Sequence, residues 1–170
     1  MPDRSTFLIV GANLAGGRAA ETLRQQGFAG RIVLVGAEPD RPYERPPLSK
    51  GVLVGTREIA SAFIQSVDFY AENDIELRLG VRATRLDPAT KSVSFDDGES
   101  LTYDKLLIAT GSELRRIKVP GSDLPGVRYL RTMADAKALG RDIAAAGRVA
   151  VVGACVADVL KRELELIGPE

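Results

Sequence analysis

Four apolar runs, at residues 7–10, 31–35, 105–109 and 149–153, proceed without polar alternation, the pattern of strands covered on both faces. Between the first two, residues 17–27 set Ala19, Ala20 and Leu23 at helical spacing, so strand, helix and strand follow one another. Residues 67–72 predict a short helix with Phe69 and Tyr70 against the core. Residues 74–79 alternate and predict a further strand. They open a stretch, continuing through 81–87, 91–95 and 100–103, that reads as a small antiparallel meander inserted in an α/β unit. Pro88-Ala89-Thr90 and Asp96-Asp97-Gly98 supply its turns. A polar, proline-flanked linker at 112–123 leads to a short strand at 127–131 and a helix from Thr132 through residue 146. Thr132 caps that helix with Asp135 in the capping-box position. Ala134, Ala138, Leu139 and Ile143 form its apolar face, and Gly147 ends it.

The join between the first strand and the first helix is Gly11-Ala12-Asn13-Leu14-Ala15-Gly16, and Glu38 stands just past the second strand. This is the order of a βαβ dinucleotide-binding unit. At Gly11 a side chain would clash or demand an unfavourable φ. Such a turn points backbone N–H groups and the positive helix end at one spot, which suits a pyrophosphate. Gly16 and Ala15 let the helix pack close to the strands. Glu38 is placed to accept hydrogen bonds from an adenosine ribose, and its charge would repel a 2′-phosphate, so FAD or NAD fits better than NADP. The middle fingerprint position holds Asn13, a small polar residue that tolerates the left-handed conformation. The competing reading is an ordinary strand-to-helix turn of an α/β protein that binds no nucleotide.

Composition narrows the chemistry. The chain of 170 residues is 45% apolar and 27% charged, as in a soluble globular protein. It balances 23 basic against 23 acidic residues, so nothing asks for nucleic acid or an anionic membrane. No apolar run approaches the ~18 residues of a membrane span, no signal peptide is read at the N-terminus, and the expected compartment is the cytoplasm. Histidine is absent, and Cys155 is the one cysteine, so His-based catalysis, a C-x-x-C redox pair and an intrachain disulfide are excluded. Redox work then needs a cofactor. The proline-rich stretch 39–51 predicts a rigid extended loop carrying Arg45 and Lys50. These are either solvated surface charges or cations completing an anion site. Ala109-Thr110-Gly111 puts small residues at a strand end, where a flat group could lie on backbone or a plain turn begins. A second strand-to-glycine run ends at Gly153, but Cys155 and Asp158 stand where further glycines belong, and 159–166 is helix-compatible.

Taken together, these residues resemble the FAD-dependent pyridine-nucleotide reductases. The nearest branch is that of the ferredoxin, putidaredoxin and rubredoxin reductases and the reductase components of aromatic-ring dioxygenases. The marks are the run from Val10 to Gly17, the run from Pro42 to Lys50 with Arg45-Pro46-Pro47-Leu48-Ser49-Lys50, then Leu107 to Gly111, Tyr129 to Thr132, and Val149 to Gly153. They cover residues 5–153. The resemblance implies an α/β, Rossmann-like FAD/NAD(P)-binding fold, three-layer ββα with an antiparallel meander, here truncated. It implies residues 1–111 as the first segment of an FAD-binding domain, 112–147 as a linker strand and helix, and 148–170 as the aborted start of an NAD(P)-binding domain. It places Gly11, Asn13, Leu14, Ala15 and Gly16 at the FAD pyrophosphate and Glu38 at the adenosine ribose. Arg45 and Lys50 go near the phosphates and flavin. The resemblance also implies a backbone contact from Ala83 to adenine, and it puts Ala109, Thr110, Gly111 and Arg131 close to the cofactor.

The implied activity is electron transfer from NAD(P)H through FAD to a ferredoxin-like iron–sulfur protein, with no catalytic residue assigned and no metal. The missing cysteine pair agrees with this branch against the disulfide reductases. By this resemblance the family's nicotinamide-binding domain is almost wholly missing from these 170 residues, and its later FAD-domain segment and C-terminal domain are missing too. Exposed apolar surface and self-association through it are therefore expected. Two other readings stand beside this one: a non-catalytic FAD- or nucleotide-binding fragment, and a single-domain NAD-dependent dehydrogenase. The meander, the Arg45–Lys50 loop and the lack of a Tyr-x-x-x-Lys pair count against the last.

Overall fold

The computed structural model describes residues 5–152. The chain divides into two compact units: residues 1–43 with 63–112, and residues 44–62 with 113–170.

The first unit is built on β1 (Thr6–Val10), α1 (Leu14–Gln25), β2 (Arg31–Gly36), α2 (Phe69–Glu72) and β3 (Ile75–Leu79). The chain continues through β4 (Ala83–Asp87), β5 (Ser92–Phe95), β6 (Ser100–Thr102) and β7 (Lys105–Ile108). Four strands form a parallel sheet in the order β3-β2-β1-β7, and β4-β5-β6 form an antiparallel sheet. Successive residues of a strand face opposite sides, and both sides of the parallel sheet are covered. On one side Leu8, Val10, Val33 and Val35 meet Val93 and Phe95 of the meander. On the other, Ile9, Ile32 and Leu34 meet Ala20 of α1, Tyr70 of α2 and Ile75. The layers are meander, parallel sheet and helices, the α/β, three-layer ββα arrangement. Unbroken apolar runs in β1 and β2 follow from that double cover.

Several expectations change. Residues 74–79 do not belong to the meander: β3 pairs with β2 as an edge of the parallel sheet, with Ile75 and Leu77 in the core on one face and Glu76 and Arg78 paired with Arg31 and Asp97 on the other. The strand expected at 105–109 ends at Ile108 and is only partly covered, because β7 is the other edge; Ile108 is 60% exposed. The loop at 39–51 is not extended throughout, since Pro46–Ser49 close a 3-10 turn that proline at its first positions favours.

The second unit holds that turn, a second one at Ile59–Ala62, and α3 (Met133–Ala145). Residues 127–131 make no strand. Side chains hold them instead: Arg128 pairs with Asp142 at 2.5 Å, and the Ile117 N–H donates to the Tyr129 hydroxyl at 3.3 Å. Residues 149–152 also make no strand, and Val152 is 86% exposed. A strand needs a ladder partner, and the described residues offer these two segments none. The capping box is present: Thr132 accepts from the Asp135 N–H at 3.1 Å and Asp135 accepts from the Thr132 N–H at 2.7 Å. Gly147 does not close α3 in the left-handed region, since the chain leaves through an extended Ala146. The expectations at Gly153, Cys155, Asp158 and 159–166 lie outside the described residues.

Candidate dinucleotide-binding site

β1 hands over to α1 within three residues, and Gly11 makes this sterically feasible. Its φ is +119°, and a Cβ there would run into the carbonyl of Ala109 and the N–H of Thr110. Its own N–H donates to the Val35 carbonyl at 2.7 Å, joining the ends of β1 and β2. Asn13 follows as the N-cap of α1. It is extended (φ −105°, ψ −166°), as an N-cap requires, and makes no use of the left-handed conformation that Asn tolerates. Its Oδ1 accepts from the Ala15 N–H at 3.2 Å, and its Nδ2 donates to the Ala109 carbonyl at 2.8 Å. One side chain therefore caps the helix and ties it to the end of β7.

Leu14 and Ala15 are exposed, and the first turn carries no acidic residue. The positive helix end thus faces outward with nothing on that turn to repel an anion. Close packing falls to other residues than Ala15. A Cβ on Gly16 would meet the Gly11 carbonyl, one on Gly17 would lie 2.6 Å from Pro42 and Ile64, and one on Gly36 would lie 2.5 Å from Ala12.

Glu38 stands two residues past β2, partly buried. Its backbone carbonyl accepts from the Gly80 N–H at 3.0 Å, and its Oε2 accepts from the Tyr43 hydroxyl at 2.5 Å. Ala83 opens β4, pairs with Phe95 beside a register shift and packs against the meander-side core. The Ala109 N–H donates to the Val10 carbonyl at 2.8 Å, while exposed Thr110 and Gly111 (φ +72°) carry the chain away. The first unit thereby brings Gly11, Asn13 and Ala109 into mutual contact at the β1–α1 join.

In the second unit Arg45 donates through Nη1 to the Arg131 carbonyl at 2.5 Å, and the Arg131 N–H donates to Asp135 at 3.1 Å. Lys50 closes the 3-10 turn and is exposed. Two of the three predicted cations are therefore linked, and Lys50 reaches solvent from the same element as Arg45.

Residues 5–157 match the pyridine nucleotide-disulphide oxidoreductase family. The chain belongs to that family. It is similar to a ferredoxin–NAD(P)(+) reductase of a Sphingomonas species, 41% identical over 146 residues covering 86% of this chain and 35% of the relative. It is also similar to a rubredoxin–NAD(+) reductase of Pseudomonas putida, 42% identical over 147 residues, 86% of this chain and 38% of the relative. Among solved structures it resembles a ferredoxin reductase from Rhodopseudomonas palustris (TM-score 0.79, 34% identity, 84% of this chain and 35% of that one). It likewise resembles putidaredoxin reductase in its covalent complex with putidaredoxin (TM-score 0.74, 36% identity, 82% and 34%). The chain spans about a third of the length of the relatives it matches.

Within this pyridine nucleotide-disulphide oxidoreductase chain the lone cysteine removes any intrachain disulfide from the 170 residues. Among the described residues no cluster of His, Cys, Asp and Glu could hold a metal ion, and no helix is long and apolar enough to cross a membrane. The donor set fits a dinucleotide: an outward helix N-terminus with no acid in its first turn, and a carboxylate fixed past the neighbouring strand. Sequence reasoning missed Asn13 as a cap, although Asn directly before a helix is a cap signal. It also missed Gly17, Gly36 and Tyr43, whose roles depend on what is packed against them.

Proposed function

We propose that this chain carries the FAD-holding part of an NAD(P)H oxidoreductase of the ferredoxin-reductase type, which passes electrons to a ferredoxin-like iron–sulfur protein. The observation that carries it is the β1–α1 join: Gly11 at a φ open to glycine, an outward helix N-terminus, and Glu38 past the adjacent strand. Bound FAD supplies the chemistry of accepting a hydride from reduced nicotinamide and releasing electrons singly. The chain's own residues bind and orient it. Gly11, Asn13, Leu14, Ala15 and Gly16 offer the pyrophosphate their backbone and the helix end. Glu38 accepts from the ribose, Ala83 meets adenine through its backbone, and Ala109, Thr110 and Gly111 give the cofactor a surface of small residues. Arg45, Lys50 and Arg131 supply positive charge.

The domain reading assigns 1–111 to the FAD-binding segment, 112–147 to a linker and 148–170 to the start of a nicotinamide-binding domain. The end of the first compact unit at Ser112 supports the first boundary. The cytoplasm is the proposed compartment. Exposed Ile117, Val119 and Leu124 support self-association. FAD binding without turnover is a second reading, since none of the residues assigned above contacts the nicotinamide.

The test is direct. The purified chain should carry flavin absorbance and release FAD on heating. A chain that retains no flavin and takes up none on titration contradicts the proposal. Anaerobic NADH separates the two readings: bleaching of the bound flavin supports turnover, and its absence supports binding alone.

A further inference from the structure

Tyr43 belongs to none of the groups assigned above, yet it is 2% exposed and its hydroxyl ends on Glu38. A buried phenol usually finds a hydrogen-bond partner, and this one has the carboxylate that stands past β2.

The support behind Tyr43 is extensive. Its backbone makes an isolated antiparallel bridge with Phe63. The two rings meet edge to face, centroids 6.5 Å apart and planes at 88°. The Arg41 guanidinium lies over the Phe63 ring at 3.6 Å and donates to the Gln65 carbonyl at 3.1 Å. The Ile64 N–H donates to the Pro42 carbonyl at 3.1 Å, and Pro42 fills the space left by Gly17. Gly80 thus holds Glu38 through its backbone, and Tyr43 holds it through Oε2. A glutamate side chain otherwise loses rotamer freedom on meeting a ligand. An ionised carboxylate has about four acceptor sites, and the Tyr43 hydroxyl takes one of them.

We propose that Tyr43 is a positioning residue: it presets the Glu38 carboxylate so that the site selects a 2′-hydroxylated adenosine over its 2′-deoxy counterpart. This rests on the reading of Glu38 as the ribose-binding acid. The ring is held by Phe63, and Tyr43→Phe keeps that contact while removing only the hydroxyl.

The test titrates the full chain with FAD and with its 2′-deoxyadenosine analogue, following flavin fluorescence. The wild type should prefer FAD by about tenfold, the worth of a hydrogen bond to a charged group. Glu38→Ala should bring the ratio close to one. Tyr43→Phe should lower it to about threefold or less, with affinity for the deoxy analogue kept within about twofold. Phe63→Leu, which keeps both hydroxyl and carboxylate but loosens the ring, should give an intermediate ratio. If Glu38→Ala lowers the ratio while Tyr43→Phe and Phe63→Leu keep it, or weaken both ligands equally, the positioning role is overturned and the ribose role of Glu38 survives. If Glu38→Ala leaves the ratio unchanged, the ribose role fails and that of Tyr43 with it.

Discussion

Gly11 and Tyr70 show how single positions carry the first unit. Alanine at 11 would combine a φ of +119° with a Cβ driven into the Ala109 carbonyl. Gly11→Ala should cost at least about 2 kcal/mol of stability, read as a lower urea midpoint. Tyr70 is 3% exposed, and its hydroxyl has no partner among the described residues. Burial pushes this phenol up to about 12 from its usual 10.0, with the Arg41 charge opposing and Glu21 reinforcing. The unfolded chain therefore loses this proton first. Between about pH 10 and 12 the folded state binds more protons than the unfolded one, so stability falls as pH rises through that window. Tyr70→Phe should abolish that part of the decline and leave stability at pH 7 equal or higher by up to about 2 kcal/mol. A urea series at pH 7, 10 and 11 checks both. At this scale the sequence made Gly11, Glu38 and the helix entry legible through their fixed spacing. It could not show that Asn13 spends both ends of its side chain locally, or that Tyr43 ends on Glu38. Those facts depend on partners 96 and 5 residues away along the chain.

At the scale of elements, local rules were readable and ladder partners were not. The capping box of α3 follows from the Thr132–Asp135 spacing alone. Burial works to raise the Asp135 carboxyl, but hydrogen bonds from Thr132 and the Arg131 N–H, with the Arg116 charge, bring it below its usual range. A depressed carboxyl contributes stability that is present above the unfolded value of about 3.9 and is lost as pH falls through the folded value. Thr132→Ala should cost about 1 kcal/mol at pH 7, and Asp135→Asn should flatten the acid limb. Helix content followed by circular dichroism against urea, at pH 7 and pH 3, measures each. Residues 127–131 and 149–152 have the composition of strands, yet strand formation requires a neighbour, and no property of the segment itself reports whether one is there. The same blindness turned β3 from a meander strand into a sheet edge.

For the whole molecule, the order of runs was enough to give the layers. Apolar runs at β1 and β2 require cover on both faces, and a meander plus two helices provides it. The division into two units was not legible, because residues 44–62 leave the first unit and join a segment that follows it by fifty residues. The proposed function requires the first unit to hold an adenine dinucleotide at the α1 N-terminus with its ribose on Glu38. Calorimetric titration of the wild-type chain and of Glu38→Ala with FAD addresses this most directly. Saturable one-to-one binding, weakened about tenfold by the substitution, is the expected result. No saturable binding by the wild type, or equal affinity in both chains, would contradict it.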